Sequence, residues 1–258
     1  ELGYASDLDL VVLHGSANLN AVTDGRRSVA NDVFYARLGQ RVIHMLTTRT
    51  PSGLLYEADM RLRPNGNSGA LVASLNTFEK YQLNDAWTWE HQALVRARAV
   101  AGDPVVTARF AAMRHQILCM QRDPEKLLAD VREMRQKMRD SLDRSNAEYF
   151  HIKQGTGGLV DIEFLVQYAV LRWAHEYPSL TEWTDNARLL ERLAEHRLLP
   201  EGAADQLWNA YQVFRGVVHR RALQEQSSLV PAAELAEERA MVRDVWEEVI
   251  GEGRGPRA

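Results

Sequence analysis

A long period-two apolar pattern in this chain, LLYEADMRLR, lies ahead of Thr77, and in the second half apolar residues recur largely at intervals of three and four. Alternation at every residue lines one face of a strand, whereas a three- and four-residue recurrence lines one stripe of a helix. The order predicts an α+β chain: a mixed sheet with helices first, then an all-helical bundle.

Two strand candidates carry carboxylates. Ser6-Asp7-Leu8-Asp9 leads into the apolar run Leu10-Val11-Val12-Leu13. As a strand this directs Asp7 and Asp9 to one side and Leu8 and Leu10 to the core. Carboxylates held that close repel unless a proton or cation sits between them, which suits a divalent metal; an acidic turn entering a strand is the plainer reading. Leu54 to Arg63, LLYEADMRLR, alternates throughout, with Leu54, Tyr56, Ala58, Met60 and Leu62 on one face and Leu55, Glu57, Asp59, Arg61 and Arg63 on the other. An Asp in mid-strand is unfavourable by propensity, and its flanking arginines point to an anion site. If the two strands are neighbours, Asp59 completes a carboxylate triad around Mg2+, and Arg61 and Arg63 offer forked donors to the phosphates of a nucleoside triphosphate. The alternative is a solvated ladder of ion pairs.

Composition narrows the partners. A length of 258 residues allows two domains, and 45% hydrophobic with 26% charged residues is ordinary for a soluble globular chain. A net charge of -4, with arginines distributed among acids, supplies no cationic track for a nucleic acid. No apolar run approaches the roughly 20 residues of a membrane helix, and no signal peptide precedes the first motif. The lone Cys119, beside Ile117, Leu118 and Met120, excludes an intramolecular disulfide and reads as a buried thiol in a cytoplasmic protein. Because residue 1 falls immediately before the first acidic motif, the chain reads as a piece of a longer polypeptide.

Helices are expected over 29–48, capped by Ser28, over 77–84, and from Trp87 toward Arg98, with Trp87 and Trp89 packing in the core. His91 has no Cys or second His at zinc spacing. Further helices are expected over 105–120, 124–142, 159–173, 184–196, 201–224 and 231–249. In the helix over 124–142, Leu127, Leu128, Val131, Met134, Met138 and Leu142 form the apolar stripe, and Arg and Glu fill the remainder. The domains are expected at 1–115 and 116–250, with a flexible tail over 251–258.

One polar block interrupts the helical half, from His151-Ile152-Lys153-Gln154-Gly155-Thr156-Gly157-Gly158 to Asp161 and Glu163. The acids suit the positive end of a helix dipole. Alternatively, the glycines admit a nucleotide and Lys153 neutralises phosphate. The block is neither a Walker A loop nor a dinucleotide fingerprint.

ELGYASDLDLVVLH, RTPSGLLYEADMRLRPNGNSGALV, DAWTWEHQALVRARAVAGDP and HIKQGTGGLVDIEFLVQYAVLRWAHE together resemble the glutamine synthetase adenylyltransferase family, from residue 1 to about residue 250. The resemblance implies a polymerase-beta-like nucleotidyltransferase domain in which Asp7 and Asp9 are the paired metal ligands and Asp59 the third. ATP and Mg2+ are then substrate and cofactor, with Ser6, Arg61, Arg63 and Lys153 as nucleotide contacts. Asp59 is the local candidate for the general base, although metal binding lowers its basicity. Members resemble a tandem duplication in which one unit removes AMP from glutamine synthetase by phosphorolysis and the other attaches it. DAWTWEHQALVRARAV resembles the attaching unit. The implied acceptor is a tyrosine of glutamine synthetase, and a PII signal protein and glutamine are implied regulators. The superfamily's Gly-Gly or Gly-Ser turn ahead of the paired Asp is missing here, where only Gly3 and Ser6 stand nearby. Such a piece would bind ATP poorly or be inactive. A protein-binding regulatory module and the reverse, AMP-removing reaction are the competing readings.

Overall fold

In a computed structural model, the described residues are 2–3, 6–16, 18, 21–54 and 56–251. Leu55 and residues 252–258 of the expected tail lie outside them. Two short strands, β1 (Leu8–Asp9) and β2 (Val12–His14), run along the first acidic segment, followed by α1 (Asn31–Thr47), β3 (Arg49–Thr50), β4 (Gly53–Leu54), β5 (Ala58–Asp59) and β6 (Val72–Ser74). Helices α2 (Leu75–Asn84), α3 (Thr88–Arg96), α4 (Pro104–Leu118) and α5 (Pro124–Leu142) come next. Strand β7 (Tyr149–His151), α6 (Leu159–Trp173), α7 (Asn186–Glu195), α8 (Ala203–Leu223), β8 (Leu229–Pro231) and α9 (Ala236–Val249) complete the order, an α+β arrangement.

The segment from Leu8 to His14 pairs in parallel with two successive partners: β1 with β5, then β2 with β6. The change of partner has a local cause. The carboxylate of Asp59 accepts the backbone N–H of Arg61 at 2.8 Å, an Asx turn that takes the chain out of the ladder. Arg63 N–H then donates to the Met60 carbonyl at 3.3 Å, and Asn65 and Gly66 take positive φ of 61° and 52°. The expected strand over Leu54 to Arg63 is therefore broken: β4 forms a hairpin with β3, and only Ala58 and Asp59 join the sheet beside the first motif. Alternation survives around the ladder, with Met60 buried and Glu57 and Arg61 exposed.

Helix α1 begins at Asn31 with Ala30 as N-cap and no side-chain cap, because the Ser28 hydroxyl donates to the Thr23 carbonyl. It crosses β6 at Gly39, where a Cβ would come within 2.6 Å of a Val72 methyl. Much of its apolar surface is outside the core, with Val33, Phe34, Leu38, Val42 and Met45 exposed.

The later helices follow the sequence closely. Asp103 and Asp123 accept two backbone N–H groups each at the starts of α4 and α5, and Pro104 and Pro124 take the first helical positions. One hydrophobic core draws on α2 through α9, with Leu165, Val170, Leu171, Leu189, Leu207 and Phe214 essentially inaccessible; Val11 and Leu13 of the acidic segment pack against it. Buried Arg114 and partly buried Arg122 spend their guanidinium groups on main-chain carbonyls that include those at the ends of α3 and α4, and desolvation pulls both pKa values down to about 10.

Four expectations are corrected here. Trp87 is 68% exposed, because it stands in the turn before α3 and not on its inner stripe. Cys119 is half-buried, at the C-cap of α4. The helical half contains a two-stranded antiparallel ladder, β7 with β8, in which buried Phe150 faces buried Val230. That ladder holds Leu229–Pro231 extended, so the last helix starts at Ala236.

The acids of the glycine block do more than face a helix dipole. Asp161 is fully buried and receives Arg135 Nε at 2.6 Å, Arg139 Nη2 at 2.8 Å and the Gly157 N–H at 2.7 Å. Arg135, equally inaccessible, also donates to the side chain and the carbonyl of Gln154. Gly157 has a φ of 78°, and a Cβ there would lie 2.5 Å from the Arg239 carbonyl, so the turn requires glycine. Glu163 pairs with Arg96 at 3.2 Å, fastening α6 to α3.

Candidate active site

In the β1–β5 ladder Asp9 stands directly opposite Asp59. Leu8 and Leu10 donate their N–H groups to the carbonyls of Glu57 and Asp59, both at 2.8 Å, which fixes that register. An open cleft of about 390 Å³ lies alongside, lined by Asp7, Glu57, Asp59, Arg61, Arg63 and Asn67. The ladder sets Asp9 across from Asp59, and Asp7, Asp59, Arg61 and Arg63 line the cleft, whereas Asp9 is not among its lining residues.

The carboxylates are not equivalent. Partial burial pushes the Asp9 carboxyl up, and the charges of Asp7 and Asp59 add to the effect against a smaller opposing pull from Arg61. Asp59 moves the other way: the side-chain hydrogen bond from Arg61 Nε at 2.6 Å holds its carboxyl below the usual range. Among the described residues, no three His, Cys, Asp or Glu side chains are drawn together closely enough to form a finished metal cage. The donor set fits a hard divalent cation nonetheless, because all the donors are carboxylate oxygens and the Asp9 charge is repelled by its two neighbours. Recruiting Asp59 requires exchanging its Arg61 ion pair for the cation.

These opposite shifts have opposite linkage. A carboxyl raised on folding favours the folded state while protonated, and that contribution is lost as pH rises through its folded value. The lowered Asp59 contributes stability above its unfolded value of about 4, lost as pH falls through its folded value. In carboxyl-carbon NMR titrations of metal-free protein, Asp9 is expected to titrate above Asp59. R61A should bring the two closer by raising Asp59; coincident titrations in the parent protein would contradict the assignment.

Arg63 Nη1 donates to the Met60 carbonyl at 2.7 Å, while its buried Nε has no hydrogen-bond partner. An orphaned guanidinium N–H on a cleft residue is a fitting donor for an anion. Ser6 closes a turn of its own: its hydroxyl accepts the Gly3 N–H at 3.1 Å, and its N–H donates to the Gly3 carbonyl at 3.2 Å. Lys153 is exposed in the turn before α6, and neither it nor Ser6 is among the residues lining the cleft. Asn67, absent from the sequence-based candidates, reaches the rim through the Asn65-Gly66 turn, which Pro64-Asn65-Gly66-Asn67 signals. His91 is buried and its Nε2 bonds the Gln82 carbonyl at 2.9 Å.

An acid pair faces across a parallel ladder beside an arginine-lined cleft, and residues 1–113 match the family model of glutamate-ammonia ligase adenylyltransferase. Residues 127–229 match that of GlnD PII-uridylyltransferase. Three relatives carry the name bifunctional glutamine synthetase adenylyltransferase/adenylyl-removing enzyme. That of Hahella chejuensis is 52% identical over 257 residues, covering 98% of this chain and 27% of its own length. That of Pseudomonas putida is 49% identical over 261 residues, covering 96% and 27%. That of Thioalkalivibrio sulfidiphilus is 51% identical over 254 residues, covering 98% and 26%. The chain belongs to the glutamine synthetase adenylyltransferase family. It spans about a quarter of the length of these relatives.

Proposed function

We propose that the chain transfers AMP from ATP to a tyrosine hydroxyl of glutamine synthetase and releases pyrophosphate. The observation that carries this reading is the Asp9–Asp59 register beside a cleft containing Asp7, Arg61 and Arg63. Residues 1–115 act as a polymerase-beta-like catalytic domain and 116–250 as a helical domain, in the cytoplasm; among the described residues no helix is long and apolar enough to cross a membrane.

Asp7, Asp9 and Asp59 hold Mg2+, which when bound supplies charge neutralisation at the phosphates and lowers the pKa of a nearby hydroxyl. Arg61 and the free Nε of Arg63 orient phosphate oxygens. The tyrosine oxygen forms a bond to the α-phosphorus as the bond to the bridging oxygen breaks, and that electron pair leaves with pyrophosphate. The phenol, with a pKa near 10, must lose its proton. Asp59, lowered by Arg61, is a weak acceptor for it unless the ion pair opens. A PII protein and glutamine regulate the reaction.

The relatives' name includes both attachment and removal of the adenylyl group. DAWTWEHQALVRARAV supports the attaching direction. The test incubates the chain with unmodified and with adenylylated glutamine synthetase and follows the subunit mass. ATP-dependent gain of AMP is expected; phosphate-dependent loss of AMP in its place would reverse the assigned direction.

A further inference from the structure

One side chain lining the cleft has no part in holding a cation or a phosphate. The carboxylates of the cleft suit a cation and the guanidinium groups of Arg61 and Arg63 suit phosphate oxygens, because each of these groups carries a full charge. Asn67 is the one uncharged polar side chain among the described residues that line it. Its amide is exposed and makes no hydrogen bond to another described residue, so both its donor and its acceptor face the cleft unspent.

The turn that carries Asn67 is closed by its own hydrogen bonds. Gly66 N–H donates to the Arg63 carbonyl at 2.9 Å, and Gly69 N–H donates to the Gly66 carbonyl at 3.2 Å. The Ser68 N–H and hydroxyl both donate to the Asn65 carbonyl, at 3.2 and 2.7 Å. A Cβ at Gly69 would collide with the Pro64 carbonyl, so the chain doubles back as tightly as glycine allows. Asn67 is thereby held at the rim on a short, braced loop that begins at the phosphate donor Arg63.

The chemistry of an amide differs from that of the arginines beside it. A phosphate oxygen only accepts hydrogen bonds, whereas a sugar hydroxyl donates and accepts, as a primary amide does. In a nucleotide the ribose is joined directly to the α-phosphate, and the base lies one sugar further from the reacting phosphorus. With the phosphates on Arg61 and Arg63, the ribose is the neutral group nearest this turn. The carbonyl and NH2 of one planar amide also match two neighbouring hydroxyls on one side of a sugar ring.

We infer that Asn67 binds the 2′,3′-diol of the ribose and makes the cleft select ribonucleotides over deoxyribonucleotides. This rests on the adenylyl-transfer reading and extends it from the phosphates to the sugar.

Calorimetric titration with Mg-ATP, Mg-2′-deoxy-ATP and Mg-3′-deoxy-ATP tests it on the parent chain and on N67A. The position is exposed and lies outside the positive-φ residues of the turn, so alanine fits the backbone. The parent is expected to bind ATP about tenfold more tightly than either deoxynucleotide, and N67A to weaken ATP about tenfold and bring the three affinities within about twofold of one another. In AMP transfer to glutamine synthetase, the kcat/KM ratio of ATP to 2′-deoxy-ATP should collapse in the same way. An unchanged ribose preference in N67A would overturn the assignment while normal transfer by that variant left the proposed reaction standing. Loss of preference for ATP over GTP, with the ribose preference intact, would overturn it in favour of a base contact. A ribose preference in binding that depends on Asn67, in a chain that never modifies glutamine synthetase, would remove the proposed reaction alone. No nucleotide binding by the parent chain would overturn both.

Discussion

Replacing Asp9 by Asn is expected to lower the rate of AMP transfer to glutamine synthetase by at least 10²–10³-fold, the order found when a preorganised electrostatic contact to the reacting phosphate is lost, with the melting temperature unchanged or slightly raised. The two effects have one source. Asp9 stands exposed on its ladder beside Asp7 and Asp59, and partial desolvation together with the charges of those neighbours makes its negative charge unfavourable until a cation joins it. An amide of the same shape removes that repulsion, so the fold gains while the charge needed to hold Mg2+ disappears. Initial rates together with thermal melts distinguish this from unfolding. Near-normal transfer by a folded D9N protein would remove Asp9 from the site.

Replacing Asp161 by Ala should cost roughly 3–5 kcal/mol of stability, the range for breaking a buried ion pair from one side. Both Arg135 and Asp161 are fully buried, and the loss strands the Arg135 guanidinium, the Gly157 N–H and one donor of Arg139 together. The damage should extend beyond one helix, since this carboxylate ties α5 to the glycine turn and to α6, and Arg139 lies 5.1 Å over the Trp246 ring of α9. Removing the charge pair together, as R135M with D161L, is expected to cost less than the sum of the single changes, because no unpaired charge stays in the core. Denaturant unfolding of the two single variants and the double variant measures that coupling; additive losses would mean that Asp161 acts through its other partners alone.

The contrast between these two sites explains what the sequence made legible. That Asp9 and Asp59 would meet on neighbouring strands could be read, because strand alternation and a mid-strand acid mark them. The break in the second strand was hidden, since Asp59 ends its own ladder by accepting the Arg61 N–H, a side-chain to backbone bond that alternation does not encode. In α5, Leu127, Val131 and Arg135 all fall on the buried stripe at four-residue spacing, but an Arg there reads as surface until its partner is known. That partner, Asp161, stands beyond a glycine turn, and the bond between them is tertiary. Strands β7 and β8 escaped for a similar reason: three residues each, they are extended because they pair with one another and not because of local pattern. Helix limits set by caps fared better, as at Asp103-Pro104 and Asp123-Pro124.

Adenylyl transfer is tested most directly by following the fate of each phosphate of ATP. The chain is incubated with Mg2+, glutamine synthetase and ATP labelled either at the α- or at the γ-phosphorus. The α-label should become covalently attached to a tyrosine of glutamine synthetase, and the γ-label should appear in pyrophosphate in equal amount, with neither event in D9N. Incorporation of the γ-label into protein, or release of pyrophosphate with no α-label on glutamine synthetase, would contradict adenylyl transfer by this site.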